Sequence, residues 1–249
     1  MKVYIQANEK NFPDNDNFFK AYLGYKEMGF ETVFFHNNEV LMTSRPEDIV
    51  VGYVGTVKKR LHDFDIQFDE IDYPEELTGF LGRKIWTSTI NTVNEHPEQW
   101  PVFVKSKQNK KITGCVVREP KDLVGRGSCY ENAEVYCSEV VNFLAEWRVF
   151  VRYDKIMDAR LYNGDWRKHF DPDIIEQAVA QYTSAPAAYA LDFGLTDDGR
   201  TLLIEANDGY ALGSYGLLYP EYAKLLSARW AELTQTEDAC DFLLERKRY

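Results

Sequence analysis

The run Leu202-Leu203-Ile204 is wholly apolar, yet it leads directly into Glu205-Ala206-Asn207-Asp208-Gly209. Polar groups in that position demand partners, because a carboxylate taken out of water without one is very costly. Upstream, Leu191-Asp192-Phe193-Gly194 sets a second carboxylate in an apolar segment, and Asp197-Asp198-Gly199 between the two runs has turn composition. If the runs pair as a hairpin, Asp192, Glu205 and Asn207 reach one face, since Glu205 and Asn207 lie two residues apart. Two carboxylates and an amide form a hard-oxygen set that suits magnesium, which keeps phosphate oxygens and water as further ligands, better than it suits a calcium cage. Taken alone the three residues ask only for a cation, and an acidic hairpin with a solvated turn would be spelled the same way.

The surrounding chain divides into patterns. Residues 3–5, 31–35 and 49–54 read as short strands, with a helix over 18–28 ending at Gly29 and another over 56–61 after Gly55. This βαβ rhythm predicts a small parallel α/β unit, closed by residues 73–81 and placed at 1–82. Residues 102–104, 113–117 and 135–141 read as strands separated by polar connectors, an antiparallel lobe over 83–141. The remainder, 142–249, starts with a hairpin in which residues 147–151 and 156–162 flank Tyr153-Asp154-Lys155, placing Arg148, Phe150 and Arg152 on one face. Asp171-Pro172 caps a helix running to Tyr182, and Pro220 opens an amphipathic terminal helix carrying Leu225, Leu226, Trp230 and Leu233.

Several function classes are excluded by what these segments lack. The chain has no Gly-x-x-x-x-Gly-Lys-Ser/Thr loop, no Gly-x-Gly-x-x-Gly after a strand and no Gly-x-Ser-x-Gly elbow. A net charge of -11 argues against a broad grip on nucleic acid or an anionic membrane. The four cysteines form no Cys-x-x-Cys pair, and no run approaches the ~18 apolar residues of a membrane span, so a cytoplasmic protein with reduced thiols is expected.

With these residues in view, the chain resembles the ATP-grasp superfamily, over roughly residues 83–226. In that family an acidic residue on one strand and a Glu-x-Asn on the next hold magnesium on ATP, which matches Asp192, Glu205 and Asn207. The resemblance implies an α/β (α+β) ATP-grasp fold, two lobes sandwiching ATP behind a small pre-ATP-grasp domain. It implies that Lys105, ending the strand Phe103-Val104-Lys105, contacts phosphates, with Lys84, or Arg83 beside it, as an earlier basic contact. Ser138-Glu139-Val140-Val141 resembles the hinge that meets adenine, Glu146 the carboxylate for the ribose hydroxyls, and Arg148 with Arg160 the pair facing the γ-phosphate.

One departure is plain. Where many relatives have a glycine- and serine-rich phosphate flap, residues 106–114 contain one glycine and three lysines, so Lys111 stands in for backbone amides. Gly209, Ser214 and Tyr215 follow the metal set in a glycine- and hydroxyl-rich loop suited to lining a substrate pocket, or simply to turning into the last helix. This variant resembles the small ATP-grasp families of bacteria and phages. The activity implied by the resemblance is that of an ATP- and magnesium-dependent carboxylate-amine ligase acting through an acyl phosphate on an amino acid or peptide-like substrate. A phosphotransferase and a silent ATP-binding module on the same fold stay open, as does a homodimer.

Overall fold

A computed structural model describes residues 1–69, 71–107, 114–124 and 132–242. The first strands, β1 (Lys2–Gln6), β2 (Glu31–Phe35) and β3 (Ile49–Val51), form a parallel sheet in the order β2-β1-β3. Helix α1 (Asp16–Glu27) starts where the Asn15 side chain accepts from the Phe18 amide and ends before Gly29, whose φ of 86° is open to glycine at no steric cost. After α2 (Asn38–Leu41), strand β3 proves shorter than the apolar run suggests. Helix α3 (Val54–Asp63) begins at its last residue, so Gly55 lies inside the helix.

The antiparallel lobe contains β4 (Ile85–Thr89), α4 (Ile90–Glu95), β5 (Val102–Ser106), β6 (Cys115–Val117) and β7 (Glu134–Ser138), ordered β4-β7-β5-β6. Its small core is Val93, Val102, Val104, Val117, Val135 and Cys137. Strand β4 is absent from the sequence expectation because Ile85-Trp86-Thr87-Ser88-Thr89 is half polar and only partly buried. The strand expected over 135–141 stops at Ser138, leaving residues 139–142 as a connector.

That connector enters β8 (Phe143–Arg152), which turns into β9 (Lys155–Gly164) through Tyr153 and Asp154, both at positive φ (48° and 58°), as a two-residue hairpin with right-handed twist requires. Helix α5 (Pro172–Gln181) then precedes β10 (Ala188–Thr196) and β11 (Thr201–Asp208), giving the sheet order β11-β10-β8-β9. One face of this sheet presents Val149, Val151, Tyr189, Leu191 and Leu203 to α5 and to Leu77 and Leu81. The other presents Phe150, Ala188 and Ala190 to the core built on β1–β3, α1 and α6 (Tyr219–Thr234). The face shared by Arg148, Phe150 and Arg152 is therefore not a charged surface: Phe150 is fully buried in this core.

Helix α6 is buried from Tyr222 to Ala231 on all sides, polar residues included, rather than along one stripe. The cause is its position between the parallel sheet with α1 on one side and β8 and β10 on the other. A side chain at Gly24 of α1 would begin 2.2 Å from the Tyr219 carbonyl oxygen, so the two helices meet almost backbone to backbone. Of the two cations this burial traps, Arg229 is ion-paired, donating to both Asp208 oxygens at 2.7 and 2.6 Å and to Glu232 at 2.8 Å, while Lys224 donates to the Phe242 carbonyl. Replacing Arg229 with alanine takes the cation away from the buried Asp208 carboxylate, so we expect a loss of about 3–5 kcal/mol in urea unfolding at neutral pH, part of it recovered by adding Asp208→Asn. A loss below about 1 kcal/mol would show that Asp208 finds water instead.

Candidate functional site

Along β8, β10 and β11 the face that carries Phe150, Ala188 and Ala190 turns abruptly from apolar to charged. Register dictates the outcome: Asp192 stands opposite Arg148 on β8 and opposite Glu205 on β11, while Asn207 stands opposite Ala190. A bulge follows, with Asp192 paired to Glu205 but Phe193 to Leu203, leaving Ile204 unpaired. Glu205 and Asn207 thus share the Asp192 face.

Arg148 grips Asp192 with both arms of its guanidinium, Nε to Oδ1 at 2.7 Å and Nη2 to Oδ2 at 2.6 Å, the fork geometry arginine is suited to. Asn207 Nδ2 donates to Asp192 Oδ2 at 3.3 Å. From the antiparallel lobe, Lys105 Nζ reaches Glu205 Oε2 at 2.8 Å and Asp72 Oδ1 at 2.7 Å, with the Tyr73 and Tyr136 rings 4.6 and 5.7 Å away. Two carboxylates side by side are answered by two cations from different elements.

The electrostatics follow from burial and from the surplus carboxylate. Burial pushes the Asp192 carboxyl above its ordinary value despite Arg148, and Glu205 adds to that push. Burial works against the charge on Arg148, but Asp192, and behind it Glu205, hold its proton more tightly than usual. For Glu205 burial again opposes ionisation, and Lys105 outweighs it, so its carboxyl lies below the usual range. Lys105 itself is raised, burial being overcome by Glu205, Tyr73 and Asp72.

A second chain of contacts extends this cluster along β8 and β9. Glu146 accepts from Tyr162 Oη at 2.8 Å and from Asn163 Nδ2 at 3.0 Å. Burial, with Asp192 and Glu146 close by, drives the Tyr162 hydroxyl far up, so it remains a donor. Its ring lies 5.0 Å from that of Tyr215, which in turn covers the Arg148 guanidinium at 4.5 Å. Arg148, Asp192, Glu205, Asn207, Tyr162 and Tyr215 line a cavity of about 460 Å³ whose opposite wall comes from the parallel α/β unit, through Asn15, Asn17, Phe18, Gly52 and Tyr53.

Other residues singled out in the sequence lie elsewhere or are already engaged. Arg160 stands opposite Arg148 in register, yet its guanidinium is taken by Asp158, with Nε–Oδ2 at 2.8 Å. Ser214 is buried, its amide and hydroxyl both donating to Asn17 Oδ1, and Gly209 sits so close to Ala188 that a side chain would begin 2.3 Å from the Ala188 carbonyl oxygen. Lys84 and Glu139 are linked through the Lys84 amide and Glu139 Oε2 at 2.8 Å, both exposed, with Ser138 ending β7 and Val140 and Val141 in the connector. Arg83 donates to the carbonyls of Leu81, Leu203 and Ile204, satisfying the outer edge of β11. Lys111 lies outside the described residues.

Asp72, Tyr73, Tyr136 and Tyr162 are the residues sequence reasoning passed over. Asp72-Tyr73 precedes a proline in an acidic stretch without periodicity, and Tyr162 is the bulged residue between the Trp147–Leu161 and Glu146–Asn163 pairs, where strict alternation fails. Among the described residues no group of three or more His, Cys, Asp and Glu side chains forms a metal cage, which leaves the mixed set with Asn207 as the oxygen cluster of interest. No described helix is long and apolar enough to cross a membrane.

A family model described as ATP-grasp domain, R2K clade family 2, matches residues 80–225, more than half of the chain. No curated protein matches it in sequence. Among solved structures, D-alanine–D-alanine ligase from Bacillus anthracis superposes with a TM-score of 0.56 at 14% identity, covering 94% of this chain and 97% of that one. The macrocyclase MdnC from Microcystis aeruginosa MRC, bound with precursor peptide MdnA, gives 0.51 at 14% identity, covering 95% and 100%. N5-carboxyaminoimidazole ribonucleotide synthetase from Thermotoga maritima gives 0.51 at 14%, covering 92% and 76%. At these identities the likeness concerns the fold.

Lys105→Met removes the cation that holds the Glu205 carboxyl low while leaving its burial in place. The Glu205 pKa is expected to rise from its lowered value, as read by carboxyl carbon NMR across a pH titration. In the native protein Glu205 contributes stability above the unfolded carboxylate pKa and loses it as pH falls through its lowered folded value. In the variant that contribution shrinks, so its stability falls furthest below that of the native protein at neutral pH and least in acid. A Glu205 pKa unmoved by the substitution would contradict this assignment of cause.

Proposed function

The chain belongs to the ATP-grasp family, R2K clade family 2, and from that premise we propose that it is an ATP- and magnesium-dependent carboxylate-amine ligase working through an acyl phosphate. The observation that carries the proposal is the meeting of Lys105, from one lobe, and Arg148, from the other, on neighbouring carboxylates beside a cavity. The donor set fits magnesium: Asp192 and Glu205 supply carboxylate oxygens, and Asn207 contacts both side chains and can turn its amide oxygen inward. When bound there, magnesium would neutralise phosphate charge. Asp192, Glu205 and Asn207 would hold it.

The chain's own residues then have defined tasks. Arg148 and Lys105, released from the carboxylates, turn their donors to phosphate oxygens and stabilise the charge that develops as the γ-phosphoryl group moves. A substrate carboxylate oxygen forms a bond to the γ-phosphorus as the bond to ADP breaks. An amine then forms a bond to the acyl carbon, phosphate leaves, and the amine proton passes to phosphate or solvent. Residues 138–141 and Glu146 serve adenine and ribose, with Glu146 exchanging Tyr162 and Asn163 for the sugar hydroxyls.

The cavity between Arg148 and the parallel α/β unit is the place for the carboxylate substrate. Asn15 and Asn17 spend their amide oxygens on Phe18 and Ser214, so donors are what they retain for a ligand. Tyr53, Phe18 and Tyr215 add aromatic surface. The macrocyclase among the structural neighbours was captured with a precursor peptide, and a peptide-like substrate suits a cavity of this size and mixed lining.

Incubation with ATP, magnesium, pooled amino acids and peptides should yield ADP and phosphate together with an amide product detected by mass spectrometry. Hydroxylamine in place of the amine should trap a hydroxamate. Asp192→Asn and Glu205→Gln should each lower turnover by about 100-fold or more. A stable phosphorylated product would establish a phosphotransferase, and tight ATP binding without turnover a silent module.

A further inference from the structure

We infer that Asp72 is a positioning residue for Lys105, and that it keeps the lysine aimed at the nucleotide once Glu205 is given up to the metal. The inference rests on the nucleotide-binding reading above. Lys105 Nζ lies between two carboxylates, at 2.7 Å from Asp72 and 2.8 Å from Glu205, in a box walled by Tyr73 and Tyr136. The two rings brace each other edge to face at 4.9 Å.

Asp72 is fixed at the backbone as well. Its carbonyl oxygen accepts from the Ala206 amide at 2.9 Å, midway between Glu205 and Asn207, so the segment entering the small lobe is tied to β11 at the site itself. An ammonium group has three donors. Asp72 and Glu205 occupy two, and transfer of Glu205 to magnesium leaves two for phosphate oxygens while the bond to Asp72 persists. Without Asp72, a long flexible side chain would have to hold its direction with the aromatic walls alone.

The roles of the two carboxylates are thus different: Glu205 is a partner that Lys105 exchanges, and Asp72 one that it keeps. This division predicts energetic coupling between Asp72 and Lys105 in nucleotide binding that does not pass through fold stability.

The test is a double-mutant cycle read by calorimetric binding of ADP with magnesium. Lys105→Met should weaken binding roughly tenfold or more, Asp72→Asn roughly fivefold or more, Asp72→Glu less than about twofold, and Asp72→Asn in the Lys105→Met background less than about twofold further. In the nucleotide-free protein, acetylation of Lys105 by acetic anhydride, followed by mass spectrometry, should accelerate several-fold in Asp72→Asn, with the melting temperature of each variant recorded. If Asp72→Asn does not fold, Asp72→Ser takes its place in the cycle. Weakened binding in Lys105→Met with native binding in Asp72→Asn overturns the role of Asp72 alone. An equal loss from Asp72→Asn in both backgrounds also overturns it. Native binding in Lys105→Met overturns the nucleotide contact of Lys105 and this inference with it.

Discussion

Two carboxylates on adjacent strands of one sheet, largely withdrawn from water, cannot both remain ionised without cations against them, and much of the structure answers that requirement. Asp192 and Glu205 stand directly opposite each other on β10 and β11. Arg148 comes from the third strand of the same sheet, and Lys105 crosses from the other lobe. The price of removing any one member is an uncompensated buried charge, which exceeds what a single contact contributes. The same constraint ties the lobes together: the antiparallel lobe delivers its lysine to β11, and Arg83, at the entrance to that lobe, caps the carbonyls beside it.

Much of the secondary structure was legible because the local signals agree. Gly29, Asp171-Pro172 and Gly199 each mark a boundary where the backbone changes direction. The signals fail where one residue serves two masters. Gly55 reads as the break before a helix but is accommodated inside α3, and β4 is half polar and only partly buried, with Ile85 packed on the core of Leu77 and Val149 and Trp86 on that of the antiparallel lobe. Helix α6 reads as amphipathic because Lys224, Ser227 and Arg229 are polar, yet each is buried. Pairing at a distance in sequence, as between Arg229 and Asp208, leaves no periodic trace.

For the site, the legible part was the set whose spacing follows strand geometry: Asp192, Glu205 and Asn207 on a hairpin, Arg148 on the strand beside it, Lys105 at the end of an apolar run. Arg160 satisfies the same alternation, but Asp158 two residues earlier on the same strand captures its guanidinium. Ser214 has the right chemistry for a ligand contact and is consumed by Asn17 from the first unit, a partner far away along the chain. The bulges at Ile204 and Tyr162 are invisible to a period of two, although each sets which side chains face the cluster.

The close approach of α1 and α6 at Gly24 has a consequence for how this chain can be divided. The span that defines the family, 80–225, contains Phe150, Ala188, Ala190 and Tyr210, whose packing partners include Val3, Ile5, Ala21 and Tyr25 from before that span and Ala228 and Trp230 from after it. A fragment cut at the family limits would keep Asp192, Glu205 and Asn207 and lose much of the core that the sheet beneath them rests on. The matched span is therefore shorter than the unit of folding, and the residues before position 80 belong to the architecture of the site even though the match begins after them.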